Sequence, residues 1–177
     1  LGYNVFQVPN AIDISSLETN VDKRYSKQVI FAGRLSHEKG IDSLISISQK
    51  LTDDIHLIIL GAGPEEEKIK DLVKNHKNIH FFGYQNKNQT ISLIRGSDIL
   101  IQPSLYEGIS STILESMACK TAIIASDVGG NRELIENNQN GIIIESHNID
   151  SFVEQIINLF DNEQLRQLLV DNALKTI

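Results

Sequence analysis

The chain has 177 residues, 41% hydrophobic and 22% charged, a composition and length that suit one globular domain with a sizeable core. A net charge of −7 without any basic stripe excludes a general nucleic-acid-binding surface. One cysteine, Cys119, excludes an intrachain disulfide or a cysteine-based metal cage, and no apolar run is long enough to span a bilayer.

Residues 1–27 read as an irregular segment: an extended piece ending in Val8-Pro9-Asn10, a turn, then a polar stretch from Glu18 to Ser26. The first strand is expected at Val29–Ala32 and runs into Gly33-Arg34-Leu35-Ser36-His37-Glu38-Lys39-Gly40; Ile41, Leu44, Ile45 and Leu51 then mark a helix. The second strand, His56–Leu60, meets Gly61-Ala62-Gly63-Pro64, with Pro64 starting a helix marked by Ile69, Leu72 and Val73. Lys68 and Lys70 lie among Glu65, Glu66, Glu67 and Asp71, which makes a solvated helix face. A third strand, Ile79–Phe82, ends in Gly83-Tyr84, and the next helix carries Ile91, Leu93 and Ile94 up to a cap at Gly96.

The fourth strand, Ile99–Ile101, leads into Glu107-Gly108-Ile109-Ser110-Ser111-Thr112 and a helix with Ile113, Leu114 and Met117. Cys119 closes that helix as small packing. A fifth strand, Ala122–Ala125, is followed by Asp127-Val128-Gly129-Gly130-Asn131, with Asn131 as the N-cap of a short helix through Leu134 and Ile135. Asn140-Gly141 turns the chain into a sixth strand, Ile142–Ile144. Two helices follow, through Phe152, Ile156 and Leu159, and through Leu165, Leu168 and Leu169. The strand runs are near-continuous rather than alternating, so they are buried on both faces. Alternation with helices gives a doubly wound, Rossmann-like α/β sheet of about six parallel strands.

Ligands bind such sheets at the carboxyl edge of the strands, where three groups of residues converge. Gly33 allows close backbone approach, and Arg34 and Lys39 place two cations suited to a diphosphate. Glu107 stands on a strand-to-helix turn, and Glu115, eight residues later, shares a helix face with Ser111 and Thr112. The opening turn of that helix offers unpaired N–H groups to a phosphate. Two carboxylates able to bind a polyol beside such a helix end suggest a nucleotide-sugar pocket. Gly61 and Gly63 form a turn lining a base or ribose; the third glycine of a dinucleotide fingerprint is replaced by Glu66. Tyr84 is either a lid over a base or a half-buried ring. The five histidines are scattered, and no metal site is expected.

Together these residues resemble the C-terminal, donor-binding domain of a retaining glycosyltransferase of the family-4 (group 1) type, one half of the GT-B fold. Val8-Pro9-Asn10-Ala11-Ile12-Asp13 is similar to the family's interdomain crossing, Gly33-Arg34-Leu35 with Glu38-Lys39-Gly40 to its phosphate loop, and Glu107 to Glu115 to its E-x₇-E helix. Leu60-Gly61-Ala62-Gly63-Pro64 and Asp127-Val128-Gly129-Gly130 are similar to two further family turns.

The resemblance implies that Arg34 and Lys39 hold a donor diphosphate and that Glu107, with the backbone of Gly108, Ile109 and Ser110, faces the donor sugar. Glu115 would accept the ribose hydroxyls, and Ser111 and Thr112 would bring N–H groups to the phosphate. No cofactor or metal is implied; the donor would be a UDP-sugar, with GDP- and ADP-sugars as alternatives. Residues 1–27 would be crossing segment and linker, and 28–177 the nucleotide-sugar-binding domain, lacking the N-terminal domain that holds an acceptor glycan or lipid-linked sugar. Such a piece is expected to bind nucleotide weakly and to transfer nothing alone. The whole enzyme is expected in the cytoplasm, with the inner face of the membrane as an option, and family habit puts it in polysaccharide or glycolipid assembly. Ser110, Lys120, Ala122 and Ala11 depart from the family's usual residues. The alternatives are a GT-B-type epimerase and a non-catalytic nucleotide-sugar-binding module.

Overall fold

A computed structural model describes residues 19–177 of the chain; the crossing-segment motif at Val8 to Asp13 lies outside the described residues. The β-branched runs form β1 (Lys27–Ala32), β2 (Ile55–Leu60), β3 (Ile79–Gly83), β4 (Ile99–Gln102), β5 (Ala122–Ser126) and β6 (Ile142–Ile144). All six pair in parallel, in the order β3-β2-β1-β4-β5-β6. The doubly wound sheet expected from the sequence is therefore present, with its topological switch between β1 and β4.

Between the strands run α1 (Ile41–Ser48), α2 (Glu66–Asn75), α3 (Lys87–Arg95), α4 (Ser111–Ala118) and α5 (Asn131–Leu134), with α6 (Ile149–Asp161) and α7 (Glu163–Thr176) after β6. A 3₁₀ turn, His37–Lys39, precedes α1. Alternate strand residues feed two cores. Val29, Phe31, Leu57, Ile59 and Ile101 pack under Leu44 of α1, Ile69 of α2 and Phe152 of α6. Ile30, Ile58, Leu100 and Ile123 pack under Ile91 of α3 and Ile113 and Met117 of α4. Burial of every one of these side chains explains why the strands read as unbroken apolar runs.

Two local expectations change. Asn131 is the first residue of α5 rather than its N-cap; it is fully buried, and its Nδ2 donates to the carbonyl of Ser126 at 3.0 Å. Pro64 sits in the turn, and α2 begins two residues later, because Glu65 first donates its N–H to Leu35 at 2.9 Å. The charged face of α2 is solvated as expected, with Lys70 paired to both Glu66 and Glu67.

The histidines are less scattered than the sequence suggests. His76 follows the end of α2 and His80 lies in β3, so their four-residue spacing does not make a facing pair on a helix. His80 instead meets His56 across β2 and β3, its Nε2 3.0 Å from Nδ1 of His56. The register pairs His80 with Ile58, which makes His56 its diagonal neighbour on the same face. Tyr25 stacks on both rings, with centroids 4.0 and 4.5 Å away.

Burial, then the neighbouring His56 and Arg24, hold the His80 pKa below its ordinary 6.5. The unfolded chain therefore binds a proton at His80 before the folded one does. This contribution to stability is complete above pH 6.5 and is lost as the pH falls from there through the lowered folded value. Thermal melts are expected to show Tm dropping from pH 7.5 to 5.5, and a His80→Phe variant should lose part of that slope. An unchanged slope in the variant would remove His80 as its source.

Candidate functional site

The loops after β1 and β4 leave the sheet toward opposite faces and open a crevice between them. They are stitched together. Leu105 donates its N–H to the carbonyl of Glu38 at 2.8 Å. Lys39 then reaches across to Glu107, with its Nζ 2.5 Å from Oε1 and 2.8 Å from Oε2. Two residues 68 positions apart thus meet at the switch point, each delivered by its own strand end.

Glu107 is 8% exposed. A carboxylate at that depth needs several donors. Besides Lys39 it accepts from Nε2 of Gln102 and, at 3.4 Å, from Oγ of Ser104. Gln102 is itself exchanged with the Ser110 hydroxyl at 3.0 and 3.1 Å. Ser110 is the N-cap of α4 and accepts from the N–H of Ile113 at 3.4 Å. Its hydroxyl is therefore spent on the cap and on Gln102 and does not line the crevice. Beyond it, the first-turn N–H groups of Ser111 and Thr112 have no intrahelical partner.

Arg34 differs from Lys39. It is exposed and forms no ion pair among the described residues. Glu115 is also nearly buried, at 9% exposure, and is bonded through Oε1 to Nζ of Lys87 on α3. Gln102, Ser104 and Lys87 are the partners that sequence reading missed. A Gln ending a strand of Ile and Leu was a usable signal; Lys87 offered only its place at the start of a helix, and its partner on another helix could not be read from that.

A cavity of about 350 Å³ adjoins these groups, lined by Gly33, Arg34, Gly61, Tyr84, Thr90 and Thr112 among others. That volume is at the small end for ligand pockets, the scale of a nucleoside. Lys39, Glu107 and Glu115 are not among the residues that form its wall. Tyr84 is 77% exposed, so the half-buried reading is corrected: the ring projects at the cavity mouth. The Cys119 thiol is buried, which pushes its pKa up to about 11, as befits a packing residue. Among the described residues no cluster of three His, Cys, Asp or Glu side chains is placed to hold a metal.

The glycines divide into two kinds. A β-carbon at Gly61 would lie 1.8 Å from the Gly33 carbonyl oxygen, and one at Gly129 would lie 1.9 Å from that of Glu107; both have positive φ. Gly108 differs, with nothing within 4 Å of where its β-carbon would be. The first two are demanded by packing between loops, and the third leaves open space over the crevice.

Residues 17–176 match the sequence model described as glycosyl transferases group 1. An uncharacterised glycosyltransferase of Methanocaldococcus jannaschii is 32% identical over 157 residues, which are 85% of this chain and 40% of that protein. A structure of a Staphylococcus aureus TarM mutant, in complex with Fondaparinux, alpha-GlcNAc-glycerol and UDP, superposes with a TM-score of 0.83 at 26% identity. It covers 99% of this chain and 36% of that one. The C-terminal domain of the Francisella tularensis glycosyl transferase LpcC shares the fold, with a TM-score of 0.79 at 23% identity over 94% of this chain and 96% of that one. The chain thus spans well under half the length of the curated relative and nearly all of a solved C-terminal domain.

The two kinds of glycine predict opposite results on substitution. Gly61→Ala should cost about 2 kcal/mol and lower Tm by about 4–8 °C, because neither backbone can move without breaking the loop contact. Gly108→Ala should stay within about 0.5 kcal/mol of the parent in denaturant melts. Equal losses would show that Gly108 also serves packing.

Proposed function

This chain belongs to the group 1 glycosyltransferase family, and from that premise we propose that it is the donor-binding half of an enzyme that transfers a sugar from a nucleoside diphosphate to an acceptor hydroxyl. The observation that carries the reading is the juxtaposition at the switch point. Lys39 pairs with a buried carboxylate, Glu107, just before the opening of α4, and Arg34, exposed and without an ion pair among the described residues, lines a nucleoside-sized cavity that reaches Thr112 of the same helix.

In this reading the base and ribose enter the cavity between Gly61 and Thr112, with Tyr84 over the base and Glu115 toward the ribose hydroxyls. The diphosphate lies between Arg34 and the N-terminus of α4, whose N–H groups and dipole favour negative charge. The sugar lies over Gly108, where no side chain intrudes, with its hydroxyls toward Glu107. Transfer breaks the bond between the sugar anomeric carbon and the β-phosphate oxygen and forms one to the acceptor oxygen. The acceptor proton passes to the departing diphosphate, on the same side of the sugar, so that the anomeric configuration is retained. Arg34 and Lys39 stabilise the charge that develops on the leaving oxygen.

We take the donor nucleotide to be UDP, the nucleotide held in the TarM complex. The acceptor, a glycan or lipid-linked sugar, would be bound by a further domain, with the whole enzyme working in the cytoplasm at the inner membrane face; residues 1–27 would form the crossing between the two domains.

Calorimetric titration of the chain with UDP, GDP and ADP tests the reading. Binding of UDP, weakened about tenfold or more by Arg34→Ala, is the expected result, since a charge-assisted hydrogen bond contributes about 1.5–3 kcal/mol. Binding of none of the three at millimolar concentration would sink it.

A further inference from the structure

We propose that Lys87 is a positioning residue for Glu115, and so sets how strongly the site distinguishes a nucleoside diphosphate bearing both ribose hydroxyls from one lacking them. The inference rests on the reading of Glu115 as the ribose carboxylate.

Lys87 stands where its own helix disfavours it. It is the first residue of α3, at the positive end of the helix dipole, and the first turn of α3 holds no acidic residue. The end is already closed by a capping box between Asn86 and Gln89, so Lys87 has no part in starting the helix. A lysine at such a position is unexplained by α3 itself. Its side chain instead crosses to α4 and bonds Glu115.

The crossing has a specific location. Thr90 follows Lys87 by one turn of α3, and Thr112 precedes Glu115 by one turn of α4; both threonines line the cavity. The ion pair therefore ties together the two helices that flank the place where a ribose would lie. Its two members are unequal, for the Lys87 side chain is 57% exposed and that of Glu115 only 11%. The lysine can be changed without opening the core. The carboxylate cannot turn away without leaving its charge poorly solvated.

The bonding pattern separates this pair from the one between Lys39 and Glu107. Lys39 contacts both oxygens of Glu107, and Gln102 adds a further donor, so that carboxylate is heavily engaged. Lys87 contacts Oε1 of Glu115. An ammonium on Oε1 restrains rotation about the last side-chain bond of Glu115, and on this reading Oε2 is the oxygen that takes a ribose hydroxyl. Lys87 is not itself required to touch the ligand.

The experiment uses the whole 177-residue chain and its Lys87→Met and Lys87→Arg variants, each checked by circular dichroism and Tm. Each is titrated with UDP and with 2′,3′-dideoxy-UDP. In the parent, UDP should bind more tightly than the dideoxy analogue. Lys87→Met should weaken UDP about tenfold while changing the dideoxy analogue less than twofold, and Lys87→Arg should restore the parent preference to within about threefold. If Lys87→Met weakens both ligands equally, Lys87 acts on the phosphates or the fold and the proposal fails. It fails also if Lys87→Met tightens UDP, because Lys87 would then be a competitor for Glu115. A parent that binds both equally overturns instead the assignment of Glu115 to the ribose.

Discussion

The site depends on how closely the loops at the carboxyl edge of the sheet pack backbone against backbone. A parallel sheet delivers β1, β2, β4 and β5 side by side, but strand spacing alone does not bring the loops beyond them into contact. Contact is made where a missing side chain lets one chain lie on the carbonyl of the next: Gly61 on Gly33, and Gly129 on Glu107. Gly130 adds a hydrogen bond to the carbonyl of Glu107 at 3.1 Å. The backbone of the two residues that open the crevice is thus clamped from behind by the neighbouring loops. Arg34 and Glu107 are held by strands that are themselves buried on both faces.

On that frame the electrostatics are arranged before any ligand arrives. Burying Glu107 costs desolvation that one lysine does not necessarily recover, and a buried ion pair is often no more stabilising than apolar residues of the same volume. Placing Lys39, Gln102 and Ser104 around Glu107 therefore makes little sense as a stability device. It does fix the carboxylate in one orientation. Arg34, exposed and without an ion pair among the described residues, supplies the charge that Lys39 has already committed to Glu107.

The strands were legible because their neighbours on both faces impose apolar residues at every position, as Ile58, Ile59 and Leu60 show. The candidate site residues stand out for a related reason: glycines and charges lie at strand ends, where an interior strand has no other use for them. What could not be read were contacts made by side chains from distant parts of the chain. The pairing of His56 with His80 depends on a strand register that no local pattern encodes. Asn131 looked like a cap because caps are local, yet its side chain serves the end of β5. The position of Pro64 misled similarly, since a carbonyl at Leu35 claims the N–H of Glu65 before α2 can begin.

A pattern joins the residues that sequence reading assigned to the site and those it missed. Each stands where local rules would place something else. Gln102 ends a buried strand otherwise made of Ile and Leu, Glu107 is an acid out of solvent, and Lys87 is a cation at the wrong end of a helix. Each of these residues carries a local penalty that the sheet itself does not explain. Their penalties are offset only in combination, Lys39 with Gln102 around Glu107 and Lys87 around Glu115. Each carboxylate is thus intelligible only with its partner from another element, Glu107 with the loop after β1 and Glu115 with α3.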